Sequence, residues 1–260
     1  MGAIQCAFQA VTKDAVLSNS SRSPRLRVRS ALPRTVNAPP TRRPTITIVS
    51  MELTWYGHGC FRMTERGVLA VVTDPYSPSV GLGELPKLKA DVVTISRDEP
   101  RYNYVSAVTP AQRGEVYKVT GPGEYEIGGV FIIGSAMRAE KKGNALKSTA
   151  YAFNFDGLTV AHLGGLSFVP SQSQIDALET VDVLLVPIGG NGELTPAQAS
   201  ELISMIEPSI VIPMGYNSKD NLNKFLKEMG LTSVKPQETL KVTRSSLPED
   251  TQVVLLEMKH

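Results

Sequence analysis

A charged loop that directly follows a buried strand carries the residues with the clearest chemical potential. The predicted strand at 91–96 is followed by Arg97, Asp98, Glu99 and Arg101. A guanidinium group is a permanent cation whose planar fork suits carboxylate or phosphate groups, and it has no lone pair for a metal ion. Such a loop can form internal ion pairs or bind an anionic small ligand. A solvated loop with compensating charges is the simpler alternative.

Other segments along the chain form an ordered set of motifs: Glu52–Phe61, Thr73–Tyr76, Gly121–Gly129, Val183–Gly190 and Ser245–Pro248. In order and spacing, over about 200 residues, they resemble the metallo-β-lactamase fold superfamily. The resemblance is to its small single-domain branch of metal-dependent hydrolases related to sugar-phosphate lactonases. It implies an α/β (α+β) fold, a four-layer αββα sandwich of two mixed β-sheets flanked by helices.

The resemblance also implies where metal ligands would stand, and this chain departs from the family there. The family strand ends in Ser-His-x-His-x-Asp-His, whereas here the ligand positions of that frame hold Arg97, Glu99, Arg101 and Tyr102. In the family, such imidazoles hold a dinuclear centre that acidifies a bound water. Only Glu99 is a normal ligand among the four, because Tyr102 could bind metal only as a phenolate.

Two more implied ligand positions hold glycine. Gly165 stands where the family has its bridging aspartate, and Gly215 stands where it has its last histidine. The chain has three histidines in all, one of them the terminal residue. We therefore predict a degenerate member of the family without its catalytic residues, its metal ions or another cofactor.

The ends of the strands in this architecture converge on one face, so the loops that follow them should still surround a pocket. Its candidate residues are charged or polar: His58, Asp74, Arg97, Asp98, Glu99 and Arg101. We expect one of the two arginines to pair with Asp74, Asp98 or Glu99 in place of the metal. His58, in a turn between strands, is interpreted as a structural histidine rather than a catalytic one.

The amino-terminal segment differs in composition from the rest of the chain. Residues 1–50 hold eight basic residues and one acidic residue, whereas residues 51–260 hold 19 basic and 24 acidic residues. An Arg-rich, Ser-rich, acid-poor segment predicts a transit peptide, here of the chloroplast type, at residues 1–44. Residues 45–260 would then form the folded domain in the stroma of a plant or alga. A disordered basic arm is the alternative.

The same charges bear on partners. The net charge of −5 on residues 51–260 argues against nucleic acid binding, and Lys141, Lys142 and Lys147 form the one basic patch to test. The sequence has no apolar run of about 18 residues, so no membrane-spanning helix is predicted. The partner is unknown, with a small anionic ligand or a plastid protein as candidates.

Period-two and period-3.6 patterns give a coarse secondary structure. Strands are predicted near 45–55, 60–64, 68–73, 91–96, 115–119, 125–136, 148–155, 157–162, 181–186, 210–214, 239–243 and 251–257. Helices are predicted at 171–180, from the N-cap Thr195 and the first-turn Pro196 up to Pro208, and at 221–229. Asp156-Gly157 should form a two-residue hairpin turn.

Two functions remain open at this point. The first is a binding or structural protein that has lost metal-dependent hydrolysis. The second is a hydrolase of lactones, esters or phosphodiesters that uses a non-standard site with Asp74, Glu99 and His58.

Overall fold

A computed structural model describes residues 50–65, 67–139, 148–190 and 192–260, which fall within one compact unit, Ile46–His260. Its strands are β1 (Met51–Trp55), β2 (Phe61–Glu65), β3 (Ala70–Thr73), β4 (Leu88–Ala90), β5 (Val92–Thr94), β6 (Val108–Pro110), β7 (Tyr117–Val119), β8 (Gly123–Ile127), β9 (Val130–Met137), β10 (Ser148–Phe155), β11 (Leu158–His162), β12 (Val183–Pro187), β13 (Ile210–Met214), β14 (Leu240–Val242) and β15 (Gln252–Val253). Its α-helices are α1 (Gln172–Asp176), α2 (Pro196–Ile206) and α3 (Lys219–Glu228).

Most strands belong to two mixed sheets. The first has the order β14-β1-β2-β3-β5-β7, and the second has the order β15-β13-β12-β11-β10-β9-β8. In each sheet an antiparallel part continues into a parallel part, at the β3–β5 pair in the first sheet and at the β11–β12 pair in the second. The predicted fold class, a mixed α/β sandwich, is confirmed.

The main core lies between the two sheets. It combines apolar side chains of the first sheet, such as Leu53 and Phe61, with those of the second, such as Phe153 and Val160, and all four are fully buried. Burial of apolar area of this kind is the dominant favourable term in folding. Apolar packing is therefore the main contact that holds the two sheets together.

The outer faces of the sheets are covered differently. All three α-helices contribute to one apolar cluster with the second sheet, through side chains such as Leu202 of α2 and Phe225 of α3. A third cluster on the first sheet includes Leu88 of β4 and Val108 of β6. In the described part of the chain, the layer over the first sheet thus consists of the β4–β6 pair and short turns.

Local sequence signals explain several boundaries. Asp156 and Gly157 have φ angles of 46° and 81° and join β10 to β11 with Phe155 opposite Leu158, as predicted for the hairpin. The predicted strand at 125–136 is wrong as one element, because Gly128 and Gly129 form a tight turn between β8 and β9. Both glycines have positive φ, which an apolar pattern alone does not reveal.

The helices follow their capping residues. Thr195 accepts a hydrogen bond from the backbone N–H of Gln198 and Pro196 occupies the first turn of α2, as the sequence predicts. The helix predicted at 171–180 is shorter, since α1 ends at Asp176. No helix in the described ranges is long and apolar enough to cross a membrane.

Three expectations lie outside the described residues: the transit peptide at 1–44, the start of the first strand at 45–49, and the basic patch of Lys141, Lys142 and Lys147.

Candidate functional site

The carboxyl ends of β3, β5, β11, β12 and β13 meet at one edge of the sandwich. Their following residues form a buried polar cluster of Asp74, Ser96, Arg97, Tyr102 and Glu193. Each side chain of the cluster is buried, with residue exposures between 0% and 8%. The loops expected to surround a pocket therefore converge. They enclose charged groups, which are rarely buried in a protein interior unless they are paired.

Asp74 is the fixed point of the cluster. Its carboxylate accepts hydrogen bonds from the backbone N–H of Ser96 at 2.7 Å and from the Ser96 hydroxyl at 2.6 Å. Asp74 has a φ of 39°, a left-handed conformation that is uncommon for residues other than glycine. Burial raises the pKa of Asp74 to about 7, and the hydrogen bonds from Ser96 oppose that rise.

Arg97 enters the cluster from the loop after β5. Its guanidinium carbon lies 5.9 Å from the centre of the Tyr102 ring, within range of a cation–π interaction. Its Nη1 lies 4.0 Å from Oε1 of Glu99, whose side chain is 49% exposed. Its buried Nη2 has no hydrogen-bond partner among the described residues. An ion pair predicted for this loop thus forms between Arg97 and Glu99, but at the upper limit of salt-bridge distance.

Glu193 reaches the cluster from the loop after β12. The Tyr102 hydroxyl donates to Glu193 Oε1 at 3.1 Å, whereas the buried Oε2 has no partner in the described part of the chain. Burial raises the pKa of Glu193 to about 7, opposed by Tyr102 and by the two arginines of the loop. Both Glu193 and Asp74 are therefore able to hold or release a proton near neutral pH.

Gly165 and Gly215, the two glycines at which the resemblance implies family ligands, face this cluster closely. A Cβ atom at Gly165 would lie 2.5 Å from the Tyr102 hydroxyl and 2.9 Å from Cδ of Arg97. A Cβ atom at Gly215 would overlap Oε2 of Glu193 and lie 3.1 Å from its Cδ. Tyr102, Arg97 and Glu193 thus occupy the space that an aspartate at 165 and a histidine at 215 would need.

The ring of His162 near the cluster is held by two hydrogen bonds. The Nδ1 of His162 accepts the backbone N–H of Gly164 at 3.2 Å, so its Nε2–H donates to the Gly59 carbonyl at 2.8 Å. Burial lowers the pKa of His162 to about 4, which keeps this ring neutral 3.9 Å from Asp74.

His58 lies in the turn between β1 and β2, with a φ of 46° and its ring edge-on to Tyr76. Burial, followed by the positive charge of Arg101, lowers the pKa of His58 to about 4. The ring is therefore neutral at pH 7.

The remaining candidates lie at the rim. Asp98 accepts a hydrogen bond from the Asn103 amide at 2.8 Å, and Arg101 and Glu99 are exposed. The structure therefore brings Asp74 and Arg97 together with Tyr102, while Asp98, Glu99 and Arg101 stay outside the buried part.

The donor set does not fit a family-type metal centre. In the described ranges there is no group of three or more His, Cys, Asp or Glu side chains arranged to hold a metal ion. The centre of the cluster holds the guanidinium of Arg97, which repels a divalent cation and offers no lone pair. Cys60 nearby is fully buried, and burial raises the pKa of its thiol, which makes it a poor ligand.

A family model described as the beta-lactamase superfamily domain matches residues 52–215, more than half of the chain and all five strand ends of the site. The chain belongs to the metallo-β-lactamase superfamily. A member of this superfamily from Thermotoga maritima has a solved structure that is 30% identical, with a TM-score of 0.64 over 79% of this chain and 98% of that one.

Relatives found by sequence carry the UPF0173 name. A UPF0173 protein of Pyrococcus furiosus is 28% identical over 69% of this chain and 90% of its own length. A Thermoplasma acidophilum relative named a UPF0173 metal-dependent hydrolase is 24% identical over 66% of this chain and 85% of its own length. The metallo-β-lactamase resemblance drawn from the motifs is thus confirmed at the level of the superfamily.

Sequence reasoning missed Glu193, which the structure places in the buried cluster. The residue follows the run Gly189, Gly190, Asn191 and Gly192 after a fully buried strand. A carboxylate in the loop after such a strand is the sequence signal that could have found this residue.

Proposed function

We propose that this metallo-β-lactamase-fold protein does not carry out metal-dependent hydrolysis and acts as a binding or structural protein. The family's frame after β5 holds Arg97, Glu99, Arg101 and Tyr102 in place of its ligands. Arginine at two of these positions introduces permanent positive charge where the family places a cation. Loss of the metal centre is compatible with folding, because the apolar core between the sheets does not involve the cluster.

One observation carries this proposal. The side chains of Tyr102, Arg97 and Glu193 fill the volume above Gly165 and Gly215. Replacement of a ligand by glycine alone would leave a cavity, which costs stability. Here the lost volume is filled by neighbouring groups, which is expected if the site was rebuilt around an arginine rather than recently damaged.

Elemental analysis of the purified full chain after incubation with zinc, manganese and iron tests the proposal. The Thermoplasma acidophilum relative, prepared in the same way, is the positive control. We expect this chain to hold substoichiometric metal and to show no turnover of lactones, thioesters or phosphodiesters. One or two tightly held metal ions per chain, removable with a chelator, would contradict the proposal.

A hydrolase with a non-standard site is the second candidate, and a specific observation favours it. Asp74 and Glu193 are buried carboxyls with pKa values of about 7, and perturbed groups of this kind are enriched in active sites. The backbone carbonyl of His58 accepts a hydrogen bond from the N–H of Gly215 at 3.3 Å, and its ring is neutral at pH 7. If turnover is found, Glu193→Gln and Asp74→Asn should abolish it. Glu99→Ala tests whether the exposed carboxylate at the rim takes part in that turnover.

We propose a plastid location for the protein, supported only by the basic, Ser-rich composition of residues 1–50. A fusion of these residues to a fluorescent protein in plant cells tests it. Import into plastids with removal of the segment is the expected result, and a nuclear or diffuse signal would contradict it.

A further inference from the structure

The guanidinium of Arg97 lacks adequate partners. Arg97 is 8% exposed, and Nη2 has no hydrogen-bond partner in the described ranges. Arginine is almost never buried without a partner, because a buried donor that makes no hydrogen bond keeps its full desolvation penalty. Glu99, at 4.0 Å and half-exposed, is beyond hydrogen-bond distance and does not satisfy the group.

A groove of about 480 Å³ has Arg97 in its lining. It is lined by the loop after β5, the connection between β7 and β8, and the start of β10, through Ile95, Ser96, Arg97, Asp98, Thr120, Pro122 and Thr149. Small-molecule sites in proteins have volumes of about 300–1,000 Å³. The groove therefore has the size of a metabolite site.

The charges of the groove favour an anion. Arg97 is the one cation in its lining, and the one carboxylate, Asp98, is engaged by the Asn103 amide at 2.8 Å. Burial raises the pKa of both Asp74 and Glu193 to about 7, so neither carboxyl is a full counter-charge for Arg97 at neutral pH. Thr120 and Thr149 add hydroxyl groups to the walls.

We propose that the groove binds the oxyanion group of a small ligand, a phosphate ester or an organic acid, and that Arg97 is the residue that recognises it. The guanidinium fork matches both anions through two parallel N–H donors. The inference rests on the proposed function, because a bound divalent cation in the cluster would itself attract the anion.

Binding of inorganic phosphate and of oxalate to the full chain, measured by calorimetry at neutral pH and constant ionic strength, tests the proposal. We expect saturable binding of at least one of the two probes. The phosphate and oxalate arms distinguish a phosphate ester from an organic acid as the natural ligand class. Arg97→Gln should weaken that binding by at least about tenfold, the loss expected for one charge-assisted hydrogen bond.

Two further variants show whether a loss of binding in Arg97→Gln comes from misfolding or from the change in net charge. Arg97→Lys retains the cation but loses the fork, so it should fold and still bind the probe more weakly. Lys118→Gln removes the same charge from an exposed position on β7 and should bind as the unaltered chain does. Binding that does not saturate, or that is equal in all four proteins, would overturn the proposal.

A chelator separates this inference from the proposed function. Binding by Arg97 should be unchanged after treatment with EDTA. If EDTA removes a metal ion and abolishes anion binding, both proposals fail. If the chain is free of metal and neither probe binds, the oxyanion site alone fails and the proposed function stands.

Discussion

The core between the sheets and the buried polar cluster at the strand ends differ in what burial does to their side chains. Burial stabilises the apolar core, whereas it is costly for the charged groups of the cluster. The core consists of apolar side chains such as Phe153 and Leu185, both fully buried. The cluster holds four ionisable side chains, Asp74, Arg97, Tyr102 and Glu193, and two of its buried atoms, Arg97 Nη2 and Glu193 Oε2, have no partner in the described part of the chain. The core thus accounts for stability, whereas the cluster carries a cost that points to function.

The largest effect on the free energy of unfolding should come from a substitution in the core. Phe153→Ala should lower the free energy of unfolding by about 3–5 kcal/mol, because it removes buried apolar area and leaves a cavity. Chemical denaturation measures the change. Phe131→Ala, on neighbouring β9 with 39% exposure, is the matched control and should cost far less. Equal losses at both positions would mean that the sandwich core does not dominate stability.

The next effect tests whether the cluster fills the space next to Gly215. Gly215→Ala should cost about 2–4 kcal/mol, because the new methyl group meets Glu193 in addition to strain from a φ of 74°. Gly81→Ala has the same type of strain, with a φ of 85° and open space around it, so it should cost only about 1 kcal/mol. Denaturation midpoints of the two variants give the difference.

A double variant separates collision from other causes. In the background of Glu193→Ala, the extra cost of Gly215→Ala over Gly81→Ala should vanish, since the colliding carboxylate is gone. If the extra cost persists, Glu193 does not occupy that space.

A pH-dependent effect tests the burial of Glu193. Its folded-state pKa of about 7 lies above the ordinary value of 4.5, so its contribution to stability is full at low pH and is lost as pH rises through 7. Glu193→Gln removes this titration. The stability of the variant relative to the unaltered chain should therefore rise by about 2 kcal/mol between pH 5 and pH 8.

His58 and His162 titrate with the opposite sign, because their pKa values are lowered to about 4. Their contribution is lost as pH falls through that value, and it is common to both proteins, so it cancels in the difference. A difference that is constant from pH 5 to pH 8 would show that Glu193 is not a buried carboxylate with a raised pKa.

The smallest effect concerns the contact between Tyr102 and Glu193. Tyr102→Phe removes the hydroxyl that donates to Oε1 and should cost about 1 kcal/mol. Tyr104→Phe, on the same segment but outside the cluster, is the control and should be nearly neutral. A loss at Tyr104 as large as at Tyr102 would argue against a specific hydrogen bond.

The elements of the fold were largely predictable because they depend on local patterns. Asp156-Gly157 specifies a hairpin, Thr195-Pro196 begins a helix, and fully apolar runs such as 210–214 become buried parallel strands. The turn at Gly128-Gly129 was missed inside an apolar pattern, since periodicity reports burial and not the direction of the chain. The β4–β6 pair was missed because three-residue strands carry too little pattern.

The site was only partly predictable from sequence. The positions of Arg97, Gly165 and Gly215 in their motifs indicated the loss of family ligands, but the replacement groups could be found only in three dimensions. Tyr102 and Glu193 are separated by 91 residues along the chain and meet at 3.1 Å. No local sequence pattern relates a glycine at 215 to a carboxylate at 193. The two positions are related only because their side chains would need the same space in the folded protein.

The measurement that tests the central claim most directly is a crystal structure of the full chain grown with zinc, with anomalous data collected at the zinc edge. The account predicts no anomalous peak within the cluster, with Arg97 between the Tyr102 ring and Glu99 and with the Glu193 carboxylate over Gly215. A peak at full occupancy between Asp74 and Glu193, with Arg97 turned out to solvent, would contradict it.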